Sequence, residues 1–234
     1  MKRFLIVNAD DFGLSAGINA GIIHAHEQSI VTSASLMVRW PAAAEAAALA
    51  RSHPRLSVGL HVDLGEWTCE NDQWRQVYAV VPNDDAPAVA AEISRQLETF
   101  HQLTGHAPTH LDSHQHAHNS EPVRSILLAA ANRLGVVLRS CDDRVRYCGS
   151  FFGQSDKGYP YPEGISVAGL LAVLRQLPEG VTELGCHPAA VADMASVYCA
   201  ERVTECATLC DARVRAAVAA EGLELCSFAD FRKF

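Results

Sequence analysis

The chain has 234 residues, 49% of them hydrophobic, with a formal net charge of -8 and no cluster of basic residues. That balance argues against a nucleic-acid or anionic-membrane surface, and no apolar run is long enough to span a bilayer. The length accommodates one large α/β domain or two small ones. Met1-Lys2-Arg3-Phe4 leads straight into an apolar stretch without a small-residue cleavage site, so no signal peptide is expected. The eight cysteines (69, 141, 148, 186, 199, 206, 210 and 226) are scattered and contain no Cys-x-x-Cys. They read as reduced thiols of a cytoplasmic protein acting as small hydrophobes; Cys206 and Cys210, one helical turn apart, could instead form part of a soft metal site.

In chain order, Phe4-Leu5-Ile6-Val7 reads as a strand buried on both faces. It runs into Asp10-Asp11-Phe12-Gly13, where a bend at Phe12-Gly13 would bring two adjacent carboxylates to one site. Ser15 caps a helix with Ile18, Ile22 and Ala25 on one face. Ile30 to Val38 is a second strand, and an alanine-rich helix runs from about Pro41 to Ser52. Leu56 to Val62 is the third strand. Residues 63–84 are polar and aperiodic and read as a long loop of the kind that forms the mouth of a site.

Asp85-Ala86-Pro87 opens a helix carrying Val89, Ile93, Leu97 and Phe100. Pro108 to Asp112 is a fourth strand, and Ser120-Glu121-Pro122 opens a helix with Val123, Leu127, Ala130 and Leu134 inward, ended by Gly135. Val136 to Arg139 is a fifth strand and residues 140–163 are loop. A helix over 167–177, a strand from Val181 to Cys186, and one last helix carrying Val203, Ala207, Cys210, Val214 and Ala217 follow. Leu223-Glu224-Leu225 then returns to the sheet. About seven alternating units imply a parallel sheet, either a barrel somewhat short of eight units or an open doubly wound sheet. Glycine-rich phosphate turns are missing, because the first strand is followed by Asp-Asp-Phe-Gly.

Polar residues at the C-terminal ends of parallel strands face the place where ligands bind. Asp10-Asp11, His61 and the row from His110 through Asp112, His114 and His116 to His118 all fall there. A core would not bury that row without partners. Imidazole and carboxylate are the usual ligands of divalent transition metals, and two His with one carboxylate leave positions open for water and substrate. Of the two adjacent carboxylates, one could bind a cation while the other moves protons. His187, fixed by Pro188, suits a general acid, and Arg139 could hold a carboxylate in a bidentate contact. The remaining histidines carry no assignment.

Val7-Asn8-Ala9-Asp10-Asp11-Phe12-Gly13-Leu14-Ser15, Val31-Thr32-Ser33-Ala34-Ser35, Gly59-Leu60-His61, Thr109-His110-Leu111-Asp112-Ser113-His114-Gln115-His116 and Cys186-His187-Pro188-Ala189 resemble the YdjC-like carbohydrate deacetylases. That family includes chitooligosaccharide deacetylases and a hopanoid-biosynthesis branch. The resemblance runs through to Gly222-Leu223-Glu224-Leu225-Cys226-Ser227-Phe228. It implies one catalytic domain over 1–234, a distorted (β/α) barrel of about seven parallel strands related to polysaccharide deacetylases, and one divalent metal ion, magnesium or zinc. By matched motif the metal ligands are Asp11, His61 and His114, with Asp10 the base that activates water and His187 the acid that protonates the leaving amine. The chain is short for the family and the 63–84 loop looks trimmed.

The implied substrate is an N-acetylated oligosaccharide or glycolipid head group, with no nucleic acid and no membrane insertion, and a homodimer is the family-based expectation. Trp67, Trp74, Tyr159 and Tyr161 lie in the two long loops and could stack on sugar rings, cover the core or meet a second subunit. Two rival functions are a metal-dependent phosphoesterase, favoured by two cations, and a non-catalytic sugar-binding module.

Overall fold

Strand β1 (Arg3–Phe12) occupies the middle of the sheet because it is buried without interruption from Leu5 to Phe12. The computed structural model that defines it describes residues 2–70, 72–194 and 198–231. Met1, at the head of the run into the first strand, and Asn71, inside the 63–84 stretch, lie outside the described residues. Around β1 are laid β2 (Ser33–Leu36), β3 (Ser57–Val62), β6 (His110–Ser113), β7 (Val137–Leu138), β8 (Val145–Cys148), β9 (Gly180–Cys186) and β10 (Leu223–Leu225), all paired in parallel. The order is β7-β6-β3-β2-β1-β9-β8, a run of seven strands, with β10 paired to the first residues of β1. The sheet curls into a distorted (β/α) barrel whose seam lies open between β7 and β8.

Helices α1 (Ala16–Gln28), α2 (Ala43–Ser52), α3 (Ala86–Thr104), α4 (Val123–Leu134), α5 (Val167–Gln176), α6 (Ala200–Leu209) and α7 (Ala212–Ala220) ring the outside, and α8 (Phe228–Phe231) follows β10. Their starts follow ordinary capping chemistry: Ser15, Asp85 and Ser166 each accept a backbone N–H of the first turn. Gly105 and Gly135 end α3 and α4 in the left-handed conformation. The core is a single large cluster of buried aliphatic side chains between sheet and helices, with Ile6, Val137, Val145, Cys226 and Phe228 forming a smaller one.

Several expectations are corrected. The 63–84 stretch is not a loop but carries an antiparallel hairpin, β4 (Gly65–Glu70) and β5 (Gln73–Ala79). It escapes a periodicity reading because β5 is solvent-exposed on both faces, so no apolar alternation is imposed on it. Residues 140–163 include β8, whose four residues Val-Arg-Tyr-Cys are too few and too polar to register as a strand. The single last helix is two, α6 and α7. Asp211 breaks it by turning its carboxylate onto the Arg213 N–H at 2.8 Å, and in α6 the expected stripe is exposed at Val203 and Ala207, the buried face carrying Arg202, Glu205, Cys206 and Leu209. The second strand is also shorter than the apolar run that suggests it.

The end of β1 carries the deformation that matters for the site. Its register with β2 slips between Ala9 and Phe12, and Asp11 has φ +67. The bend therefore falls at Asp11 itself, one residue earlier than the Phe12-Gly13 bend expected. A bulge here breaks the strict alternation of a strand and re-aims a side chain. Both carboxylates thereby reach the same end of the barrel.

Candidate active site and metal centre

The C-terminal ends of β1, β3, β6 and β9 meet in a cleft of about 310 Å³ whose lining includes Asp10, Asp11, His61, His114, His187 and Arg202. Asp11 is its centre. His61 Nε2 lies 3.3 Å and His114 Nδ1 3.1 Å from Asp11 Oδ1, while Arg202 donates to Asp11 Oδ2 at 2.6 Å. Burial would raise the Asp11 pKa, but Arg202 and His114 outweigh it and hold the carboxyl well below the usual range. His61 is fixed from behind, with Nδ1 2.7 Å from Asp112 Oδ1. A carboxylate on one imidazole nitrogen sets the tautomer that leaves the other free to ligate.

Asp10 occupies a different environment. Arg139 donates to its Oδ2 at 2.6 Å and its Oδ1 at 2.7 Å, and Asn8 Nδ2 donates to Oδ1 at 2.9 Å. The same guanidinium bonds Glu183 Oε1 at 2.8 Å and approaches Asp112 Oδ2 at 2.8 Å. Burial alone would push the Asp10 carboxyl up; Arg139 reverses that and keeps it ionised. Glu183 goes the other way, its pKa raised to about 7 because burial outweighs Arg139. His187 sits across the cleft, Nε2 3.8 Å from Asp10 Oδ2 and Nδ1 3.7 Å from Glu205 Oε1. Phe152 and Tyr198 hold its ring edge-on, and Glu205 accepts both its backbone N–H and the Tyr198 hydroxyl.

Among the described residues, two groups of donors are close enough together to hold a cation: Asp11, His61 and His114, and Asp10, His61 and Asp112, each within 4.8 Å. The second is already filled by a cation of the protein's own, since Arg139 bonds both its carboxylates. The first fits a divalent ion. Its donors are one carboxylate and two imidazoles, they converge on one side of the cleft, and the surrounding buried carboxylates Asp10, Asp112 and Glu205 outnumber the guanidiniums of Arg139 and Arg202.

The histidine row does not act as one strand. β6 stops at Ser113, and His114–Asn119 forms a short 3-10 turn in which Gln115 and His116 have φ +48 and +53. His114 therefore reaches Asp11, and His116 lines the cleft against Tyr147 at 5.2 Å, its pKa lowered to about 4 chiefly by burial. His110 is instead packed in the core, stacked on Phe228 at 3.9 Å and pressed against Gly59, where a Cβ would come within 2.5 Å of its ring. His118 pairs with Ser113 Oγ at 2.6 Å. Cys206 and Cys210 are free thiols and belong to neither donor group. Tyr161 faces a groove on the far side of Tyr147, away from the metal donors.

Arg202, Glu205 and Tyr198 were not singled out by sequence. No sequence signal pointed to the first two, since the apolar stripe through Val203 and Ala207 lies on the exposed face of α6 and Arg202 and Glu205 on the buried one.

A family model for the YdjC-like protein matches residues 4–220. A carbohydrate deacetylase of Geobacillus stearothermophilus is 33% identical over 250 residues, covering the whole of both chains. A chitooligosaccharide deacetylase of Klebsiella pneumoniae is 36% identical over 252 residues, covering 98% of this chain and all of that relative. Among solved structures, an Enterococcus faecalis protein described as a cellobiose-phosphate cleavage protein superposes with a TM-score of 0.77 at 24% identity, covering 99% of each chain. A family 4 carbohydrate esterase from Streptomyces lividans superposes with a TM-score of 0.57 at 14% identity over 96% of this chain and 91% of that one. At such identities the two structures speak for the barrel, while the sequence relatives extend over the full length. The chain belongs to the YdjC-like protein family.

Proposed function

We propose that this chain is, over its whole length, a single catalytic domain that hydrolyses the N-acetyl group of an acetylated sugar. The observation that carries the reading is the convergence of Asp11, His61 and His114 within 4.8 Å, flanked by Asp10 and His187, with Oδ2 and Nε2 3.8 Å apart. Full-length relatives named carbohydrate deacetylase and chitooligosaccharide deacetylase support the same chemistry.

Asp11, His61 and His114 would hold one divalent ion, and two imidazoles with one carboxylate suit zinc better than magnesium. When bound, such an ion polarises the acetyl carbonyl and lowers the pKa of water. Asp10 is the base. Its Oδ2 carries one bond from Arg139 and keeps a lone pair toward His187, so it can accept the proton of an attacking water. Arg139 holds that carboxylate in one orientation and in its ionised form. His187 is the acid, since an amine leaves poorly unless its nitrogen is protonated; Glu205 accepts its backbone N–H, and the Phe152 and Tyr198 rings pack edge-on against its imidazole. The C–N bond breaks, acetate leaves with the water oxygen, and the sugar retains a free amine. Eight free thiols fit a reducing, cytoplasmic setting.

The test is acetate release from N-acetylated chitooligosaccharides by metal-stripped protein, with zinc, magnesium, cobalt or manganese added back. Metal-dependent acetate that falls by about 10²–10⁴ in Asp10→Asn, with metal still bound, supports the assignment. Undiminished turnover in Asp10→Asn would remove Asp10 from the chemistry, and two metals per chain with phosphate-ester cleavage would favour the phosphoesterase.

A further inference from the structure

Beside the catalytic cleft runs a second groove of about 590 Å³, walled on one side by the β4–β5 hairpin and on the other by the 152–158 segment. The two cavities are continuous, sharing Gln115, His116, Phe152 and Gln154. Trp67 and Trp74 line the groove while 42% and 59% exposed, apolar area that a folded chain rarely leaves uncovered without a use. Trp67 pairs with Gln76 and Cys69 with Trp74 across the hairpin, so the two indoles are diagonal neighbours on one face.

The hairpin is positioned, not merely attached. Gln115, the residue after His114, accepts the Trp67 N–H at 2.8 Å and donates to the Trp67 carbonyl at 2.8 Å, so one side-chain amide pairs with the strand as a neighbouring strand would. Its backbone stands at φ +48, a conformation that an L residue keeps only when its surroundings over-determine it. At the hairpin base, Asp63 accepts from Gly65 N, Tyr78 Oη, Trp40 Nε1 and Arg39 Nη1. At the tip, Asp72 meets Lys157 of the opposite wall at 2.9 Å.

We infer that this groove is the subsite for the second sugar ring of the substrate, with Trp67 and Trp74 its stacking platform and Gln115 the residue that sets its distance from the metal donors. The inference rests on the deacetylase reading for what occupies the adjoining cleft. A pyranose presents a face of C–H bonds, which suits the electron-rich indole faces. Its hydroxyl edge suits the polar opposite wall of Gln154, Ser155 and Asp156. An apolar peptide would leave that wall unmatched. The consequence is selectivity for oligosaccharides over the single sugar.

The experiment compares kcat/KM for N-acetylglucosamine and for its β-1,4-linked dimer in wild type, Trp74→Ala and Trp74→Phe. The dimer-to-monomer ratio is expected to fall roughly tenfold in Trp74→Ala, through KM for the dimer, and to recover in Trp74→Phe. A ratio that does not move in Trp74→Ala, or that Trp74→Phe fails to restore, overturns the subsite. If wild type deacetylates neither sugar, the activity assignment has failed, and tryptophan fluorescence then tests the groove alone. Quenching by the dimer and trimer that is lost in Trp74→Ala sustains it, and an absence of quenching by either overturns it.

Discussion

Arg139 grips both oxygens of Asp10, at 2.6 and 2.7 Å, from the far side of the open seam, and the same guanidinium serves Asp112 and Glu183. No other buried cation could replace it, because a planar fork is needed to meet three carboxylates at once. Arg139→Met should leave those carboxylates unpaired and destabilise the fold by about 3–5 kcal/mol. For a chain of this size that is a fall in Tm of roughly 10 °C. Arg139→Lys should recover part of the stability but lose the bidentate hold, with kcat down on the order of 100-fold. Thermal melts beside kcat for the two variants check this; equal activity in Arg139→Lys would mean that the orientation of Asp10 does not matter.

His61 predicts how metal binding responds to pH. Burial would lower its pKa, but Asp112 and Asp10 raise it well above 6.5, so the metal-free protein carries a proton there. That charge stabilises the metal-free fold fully below the unfolded value near 6.5, and its contribution fades as the pH rises through the raised one. A cation must displace the proton, so apparent affinity should fall about tenfold per unit below the raised pKa. Calorimetry in two buffers of different ionisation enthalpy should report about one proton released per metal bound. Zero release would mean His61 is neutral before the metal arrives.

Glu183 gives a dependence of the opposite kind. Its carboxyl is raised from 4.5 to about 7 by burial against Arg139. Between those values the folded protein holds a proton that the unfolded chain has lost, so stability falls as the pH rises through the window. The loss is on the order of 3 kcal/mol. Glu183→Gln should flatten it, which denaturant titrations at pH 4.5 and 7 would read directly. An unchanged slope would place the titration elsewhere.

Asp63 is fully buried and anchors the hairpin through four donors. Asp63→Ala strands the Tyr78 hydroxyl and the indole N–H of Trp40, at a cost of about 3 kcal/mol. Limited proteolysis should then cut within 65–79 before the rest of the barrel. A hairpin as resistant as wild type would show that β4 and β5 hold themselves.

The parallel barrel was legible because its buried strands are short apolar runs separated by amphipathic helices, Leu5–Val7 and Val58–Leu60 among them. Asp10, Asp11, His61, His114, His187 and Arg139 drew attention as candidates because they stand at the ends of predicted parallel strands, where ligands bind, although each taken singly also has a structural explanation. The hairpin was not, since β5 is exposed on both faces and offers no apolar period to detect. Nor was the bend at Asp11: nothing in Ala9-Asp10-Asp11-Phe12 announces a left-handed residue, which follows from the bulge against β2. Arg202 and Glu205 were not legible either, because the apolar stripe through Val203 and Ala207 points to the opposite face of α6 from the one the fold buries.

The sharing of one guanidinium among Asp10, Asp112 and Glu183 ties two properties that most enzymes vary separately. In a barrel whose axis is lined with aliphatic layers, a dead variant can be a perfectly sound protein. Here Asp10, the base of the proposed reaction, is also part of the internal charge balance, so a library sorted only for well-folded members would be enriched in chains that keep it. Drift toward an inactive binding protein would first have to rebuild the interior around position 139.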